Sequence, residues 1–267
     1  MKKSIKLFIV EGEDRDYRFT QEMINCFFKG KYDAKVIYLP AAQNLYMLFK
    51  KLSDDKFETD IVEVLRDTVD NARDNLAGIN RQQIDEVFLF FDYDIHQDNT
   101  GKDLSLAMEI IETMLDVFNN ETENGKLFIS YPMVEALYDY LQGECITHTQ
   151  CYIPIEEIGH YKTLSGKNNP NANRKMNINF WREVLQTFYL RVKCLFDFDY
   201  LDMKNYRSFV SPQTIFTNEK QQYFLHERVF VLSAFPEFLF DYFKEAFWKS
   251  MTRINQALPS NCIIKQK

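Results

Sequence analysis

Along the first half of the chain, apolar runs alternate with amphipathic stretches. Ile5–Val10 (IKLFIV) is a short apolar run, which predicts a buried strand. Asp14 can cap a helix over 16–28, where Tyr17, Met23, Ile24, Phe27 and Phe28 form an apolar stripe and Phe19 fits less regularly. A second strand is predicted at 35–39 (KVIYL), stopped by Pro40. Helices over 42–52 and 60–77 follow, the latter ended by Gly78. A third strand, 86–91 (EVFLFF), carries Asp92-Tyr93-Asp94 at its carboxyl end. A helix opening at Asp103 turns Leu104, Ala107, Ile110, Ile111, Met114, Leu115 and Phe118 to one side. A fourth strand is predicted at 126–130 (KLFIS), and Tyr131-Pro132 leads into a helix over 133–141.

This order predicts an α/β fold with a mainly parallel sheet flanked by helices. The strands read as near-continuous apolar runs, as strands covered on both faces do. From about residue 142 the period changes. The stretch 166–175 (GKNNPNANRK) predicts a polar loop, and 179–196 and 236–254 predict helices. The aromatic-dense stretch 235–248 is expected to be core, since so many exposed rings would be a liability. The expected division is an α/β domain over 1–141 that bears the site. A helix-rich region over 142–267 would pack on it and serve substrate or partner binding.

Composition narrows the class. Apolar residues are 46% and charged residues 27% of the chain, and 15% are aromatic, which argues against disorder. No apolar run approaches the roughly 20 residues of a membrane helix, so no membrane association is expected. The basic, then apolar N-terminus is interrupted at Glu11, which argues against a secretion signal. Five scattered cysteines suit a reducing cytoplasm, the expected location. The net charge of -7 conceals an asymmetry: residues 1–140 hold 16 basic and 27 acidic side chains, the remainder 16 and 12. Overall acidity argues against avid, nonspecific nucleic-acid binding.

Ligands of open parallel sheets bind beyond the carboxyl ends of the strands. Two acidic clusters fall there: Glu11 with Glu13 after the first strand, and Asp92 with Asp94 after the third. Carboxylates gathered without a counter-charge repel, and a hard divalent cation removes that cost while taking oxygen ligands. Such an ion can polarise a phosphoryl oxygen or activate water. Strand-end acids also cap helices or sit in solvent, and that reading stays open.

Phe8-Ile9-Val10-Glu11-Gly12-Glu13-Asp14 followed by Phe90-Phe91-Asp92-Tyr93-Asp94 resembles the Toprim domain, which carries a Glu-Gly after its first strand and a DxD after a later one. That family includes topoisomerases, primases, ribosomal-RNA-maturing ribonucleases and OLD-type nucleases. The resemblance covers about residues 4–140. It implies a Mg²⁺- or Mn²⁺-dependent phosphodiester site with Glu11, Asp92 and Asp94 as catalytic and metal-holding residues, Glu11 being the general acid/base. The segment Ser130-Tyr131-Pro132-Met133-Val134-Glu135 is similar to the NPxxE segment of stand-alone Toprim proteins from anti-phage and abortive-infection systems, with Tyr131 in place of Asn. It adds Glu135 as a possible further ligand at the same sheet edge, against the alternative of an exposed glutamate favoured by a helix N-terminus.

No cysteine zinc ribbon of the primase kind and no GxxxxGK[ST] loop is present, so the chain is not expected to be an ATPase. In outline it is similar to the Toprim subunit of the PARIS defence system, which implies a separate ATPase or sensor protein that restrains it. Within 162–193 seven basic residues face one acid, Glu183. Lys162, Lys167, Arg174, Lys175 and Arg182 are therefore candidates for binding a nucleic-acid backbone, with Tyr161 and Trp181 to stack on bases, or else form a solvated face. His96 and Asp98 are weaker candidates beside the DxD, and Cys145, His148 and Cys151 have an unusual spacing for zinc. The expectation is an antiviral nuclease, acting by metal-dependent hydrolysis of DNA or RNA. The competing expectation is a non-catalytic regulatory or scaffolding subunit of a protein complex.

Overall fold

The computed structural model describes residues 4–40, 45–93, 95, 103–139, 151–166, 169–198, 201–243 and 245–251. The chain divides into two compact units, 1–129 and 130–267.

The first unit is an α/β layer. Its strands are β1 (Ile5–Val10), β2 (Asp33–Tyr38), β3 (Ile84–Asp92), β4 (Asn119–Asn120) and β5 (Gly125–Ser130), in the order β2-β1-β3-β5-β4. β1 runs parallel to both β2 and β3, with Val10 level with Tyr38 on one side and Phe90 on the other. β4 and β5 pair antiparallel. All six residues of β1 are buried, which explains their unbroken apolar character. Phe8 and Phe90 lie 6.2 Å apart, and Phe90 and Phe128 5.7 Å apart, so one aromatic row links β1, β3 and β5. Lys6, 3% exposed, is tolerated in β1 because it pairs with Glu86 and sits 4.4 Å from the Tyr32 ring.

The flanking helices are α1 (Arg15–Phe27), α2 (Leu45–Asp54), α3 (Ile61–Thr68), α4 (Asp70–Asn75) and α5 (Leu104–Val117). α1 buries Asp16, Phe19, Thr20, Met23 and Phe27, an inward stripe at helical spacing. Asp60 caps α3 by accepting from the Val62 amide, and Asp103 caps α5 by accepting from Leu106. The helix predicted over 60–77 is two helices, because Val69 takes extended backbone angles between them.

The second unit is mostly helical: α6 (Tyr161–Gly166), α7 (Ile178–Leu195), α8 (Met203–Phe209), α9 (Pro212–His226), α10 (Ala234–Tyr242) and α11 (Glu245–Met251). A small antiparallel pair, β6 (Tyr152–Pro154) with β7 (Arg228–Phe230), was not evident in the sequence. Of the helix predicted over 133–141, the described residues form only a 3₁₀ turn, Val134–Leu137, and residues 140–141 lie outside the described residues. The helix predicted over 236–254 breaks at Phe243, which is extended, and residues 252–254 lie outside the described residues. The aromatic stretch is core as expected: Phe235, Phe238 and Phe240 are buried, and Phe240 meets Trp248 at 4.5 Å. Among the described residues no helix is long and apolar enough to cross a membrane.

Candidate functional site

Parallel pairing of β1 with β3 carries two acids to one sheet edge. Val10 is level with Phe90, so Glu11 and Asp92 leave neighbouring strands at nearly the same height. Both are half-buried. The Asp92 amide donates to Glu11 Oε2 at 3.2 Å. That bond holds the Glu11 carboxylate in place and offsets part of its charge. Asp92 Oδ1 is closed off from solvent. Asp94, the third residue of the expected set, lies outside the described residues, as do His96 and Asp98.

The turn after β1 is tight. The Gly12 carbonyl accepts from the Tyr17 amide at 3.3 Å, starting α1. A Cβ on Gly12 would stand 2.7 Å from Asp16 Oδ2, so glycine here lets that carboxylate approach closely rather than serving an unusual backbone angle. Asp16 is thus a carboxylate against the Glu11-Gly12 peptide, 9% exposed, and sequence reasoning missed it. Its signal was an acid on the inward stripe of α1, at the spacing of Phe19, Met23 and Phe27.

Tyr38 ends β2 at the same edge, beside Val10. Its phenol is pushed above its ordinary value by lost hydration, by the hydrogen bond to Glu13 and by that carboxylate's charge. Tyr17 meets Tyr38 edge-to-face, ring centres 5.6 Å apart at 84°. Asn71 clasps the Tyr38 backbone from α4, accepting from its amide at 3.2 Å and donating to its carbonyl at 2.6 Å.

Glu135 belongs to the second unit. It lies in the 3₁₀ turn and is 1% exposed, which corrects the picture of a solvated first-turn glutamate. The basic candidates are less uniform than their sequence suggests. Lys162 and Lys175 are exposed. Arg174 is engaged by Glu183 through two contacts, 2.6 and 3.2 Å. Arg182 donates to Asn179 Oδ1 at 3.1 Å. Lys167 lies outside the described residues.

The expected base-stacking aromatics are corrected too. Trp181 is 0% and Tyr161 2% exposed, because both fall on inward faces of their helices. The Tyr161 hydroxyl donates to Asp139 at 2.8 Å, and burial, then Asp139, holds it well above the usual phenol range. Cys151 is buried, while Cys145 and His148 lie outside the described residues. Among the described residues no group of three His, Cys, Asp or Glu is gathered as a metal site.

No family model, no curated protein and no solved structure matches the chain.

Proposed function

We propose that the chain is a Mg²⁺- or Mn²⁺-dependent phosphodiester hydrolase of the Toprim kind, acting on nucleic acid in the cytoplasm. The observation that supports this reading best is the meeting of Glu11 with Asp92 at the carboxyl edge of two adjacent parallel strands. The donor set is oxygen-only, which suits a hard divalent cation, and Asp92 with Asp94 would hold it. When bound, such a cation polarises a phosphoryl oxygen and lowers the pKa of water. Glu11, oriented by the Asp92 amide, takes the proton from the attacking water or returns one to the leaving oxygen. A defence role, and a separate ATPase or sensor that restrains the enzyme, rest on the resemblance in sequence alone.

The test is cleavage of labelled single-stranded DNA, duplex DNA and total tRNA with either metal, by the wild type, Glu11→Ala and Asp92→Ala. Cleavage by the wild type that is lost in both variants, with unchanged thermal unfolding, is the expected result. Cleavage that persists in Glu11→Ala overturns the assignment.

A second reading, a non-catalytic scaffolding subunit, is favoured by one observation. Tyr161 and Trp181 are buried and Arg174 is engaged by Glu183, which reduces the surface offered to a nucleic acid by 162–193. That reading requires no metal binding at Asp92, and isothermal titration with Mn²⁺ distinguishes the two.

A further inference from the structure

We infer that Tyr38, supported by Tyr17, is the platform on which an unstacked base of the substrate rests beside the Glu11–Asp92 edge. This inference rests on the phosphodiester reading and deepens it by naming the substrate class: single-stranded or locally opened nucleic acid.

Four observations converge. The order β2-β1-β3 sets Tyr38, Glu11 and Asp92 on successive strands of one edge. Adjacent strands are about 4.8 Å apart, so Tyr38 stands roughly one strand from Glu11 and two from Asp92. Neither Tyr17 nor Tyr38 is fully buried, unlike Tyr93, which is 2% exposed at the end of β3. Tyr38 is held on two sides: Asn71 clasps its backbone, and Tyr17 meets its ring at 84°. A side chain immobilised in advance loses little entropy when a ligand arrives.

Charge explains why an aromatic contact belongs here. Glu11 and Asp92 meet at this edge, and Glu13 and Asp14 follow β1 as exposed acids, so their charges repel a polyanion wherever a cation does not intervene. An uncharged contact adds affinity beside the reacting phosphate without meeting that repulsion. Base–aromatic stacking is such a contact, and it is tolerant of sequence because every base has a π-face. It is available only to a base already out of its duplex stack.

The experiment is fluorescence-anisotropy binding of a labelled single-stranded oligonucleotide and of its duplex. Ca²⁺ is present in place of Mg²⁺, so that cleavage is suppressed. The proteins are the full chain as wild type, Tyr38→Phe, Tyr38→Trp, Tyr38→Ala and Tyr17→Ala. Tyr38→Ala is expected to weaken single-strand binding roughly tenfold. Tyr38→Phe and Tyr38→Trp keep it within about twofold, and the duplex binds more weakly than the single strand in the wild type. Thermal unfolding of each variant separates lost stacking from lost folding, and Tyr38→Leu, which fills the position without a π-face and is expected to weaken binding as Tyr38→Ala does, takes its place where Tyr38→Ala fails to fold. Wild-type binding that is unchanged in Tyr38→Ala, or lost equally in Tyr38→Phe, Tyr38→Trp and Tyr38→Ala, overturns the platform and leaves the phosphodiester reading standing. Absence of binding to either oligonucleotide by the wild type overturns both.

Discussion

The Asp92 amide reaches Glu11 Oε2 across 3.2 Å although 81 residues separate the two in the chain. The relationship follows from β1 and β3 being parallel neighbours: Val10 is level with Phe90, so the residue after β1 comes within reach of the last residue of β3. The residue after Glu11 is the glycine that lets Asp16 approach from α1.

Gly12→Ala tests the approach. The added Cβ would meet Asp16 Oδ2 at 2.7 Å, and the carboxylate must swing aside or the turn must shift. A side-chain tip gives way cheaply, so the expected stability loss is at most about 1 kcal/mol. On the proposed phosphodiester reading, displacing Glu11 is far less tolerable, since small misplacements at a reacting centre cost up to about a hundredfold in rate. Metal-dependent cleavage should fall at least tenfold while the urea midpoint moves little. Wild-type activity in the variant shows that the Glu11 turn does not depend on Asp16.

Gly125→Ala tests the opposite case. Gly125 has φ +104, and a Cβ there would stand 2.6 Å from Leu89 Cδ1 and 3.2 Å from Val87 Cγ1. Overpacking costs about 1–3 kcal/mol, and the unfavourable backbone angle adds to it. The expected result is a lowered urea midpoint with an unchanged slope. A variant as stable as the wild type would mean that β5 can slide away from β3.

Glu219 makes stability depend on pH. It is 0% exposed; one oxygen accepts from the Phe230 amide at 2.9 Å, and the other is buried with no hydrogen-bond partner among the described residues. Burial raises its pKa well above the ordinary carboxyl value, against the smaller opposing pulls of the Phe230 amide and Arg228. The folded chain therefore keeps this proton to higher pH than the unfolded chain, whose glutamates titrate near ~4.3. The contribution is complete below that value and is lost as pH rises toward the raised folded value. Glu219→Gln keeps an acceptor for Phe230 and removes the charge. Its unfolding temperature should fall less than that of the wild type between about pH 5 and 8, in scans at fixed ionic strength. Parallel curves for the two proteins would show that Glu219 is ionised in the folded state at no cost.

The basic residues of the second unit should separate into two kinds. Arg174 is tied to Glu183, both about a quarter exposed, and Arg174→Ala is expected to cost up to about 1 kcal/mol of stability, less at high salt. Lys162 and Lys175 are exposed and reach solvent. Where they contact phosphates, each alanine substitution lowers the salt slope of single-strand binding by about 0.7. A salt slope unchanged in Lys162→Ala/Lys175→Ala removes this face from the substrate path.

Much of the first unit was legible from the chain alone. Ile5–Val10 was read at its observed bounds, and β3, α1 and α5 were found within a few residues of theirs. The reason is local: a strand covered on both faces must be apolar throughout, and a surface helix must repeat its apolar residues every three to four positions. The acids at the strand ends were legible for the same reason, since each marks where burial stops.

What the sequence by itself determined, then, is where the elements of the α/β unit lie and which carboxylates follow its strands. Only the tertiary structure decided which strands are neighbours, and so that Glu11 meets Asp92 with Tyr38 beside them. It also decided which side of a helix faces inward. Trp181 and Tyr161, read as free to stack on bases, are core, and Asp16, which the sequence did not single out, faces inward. It broke the aromatic helix at Phe243 and paired β6 with β7 across 70-odd residues. Periodicity reports only that a residue is buried within its own few turns. Partners distant in the chain are selected by the free energy of packing whole elements together, which no local pattern encodes.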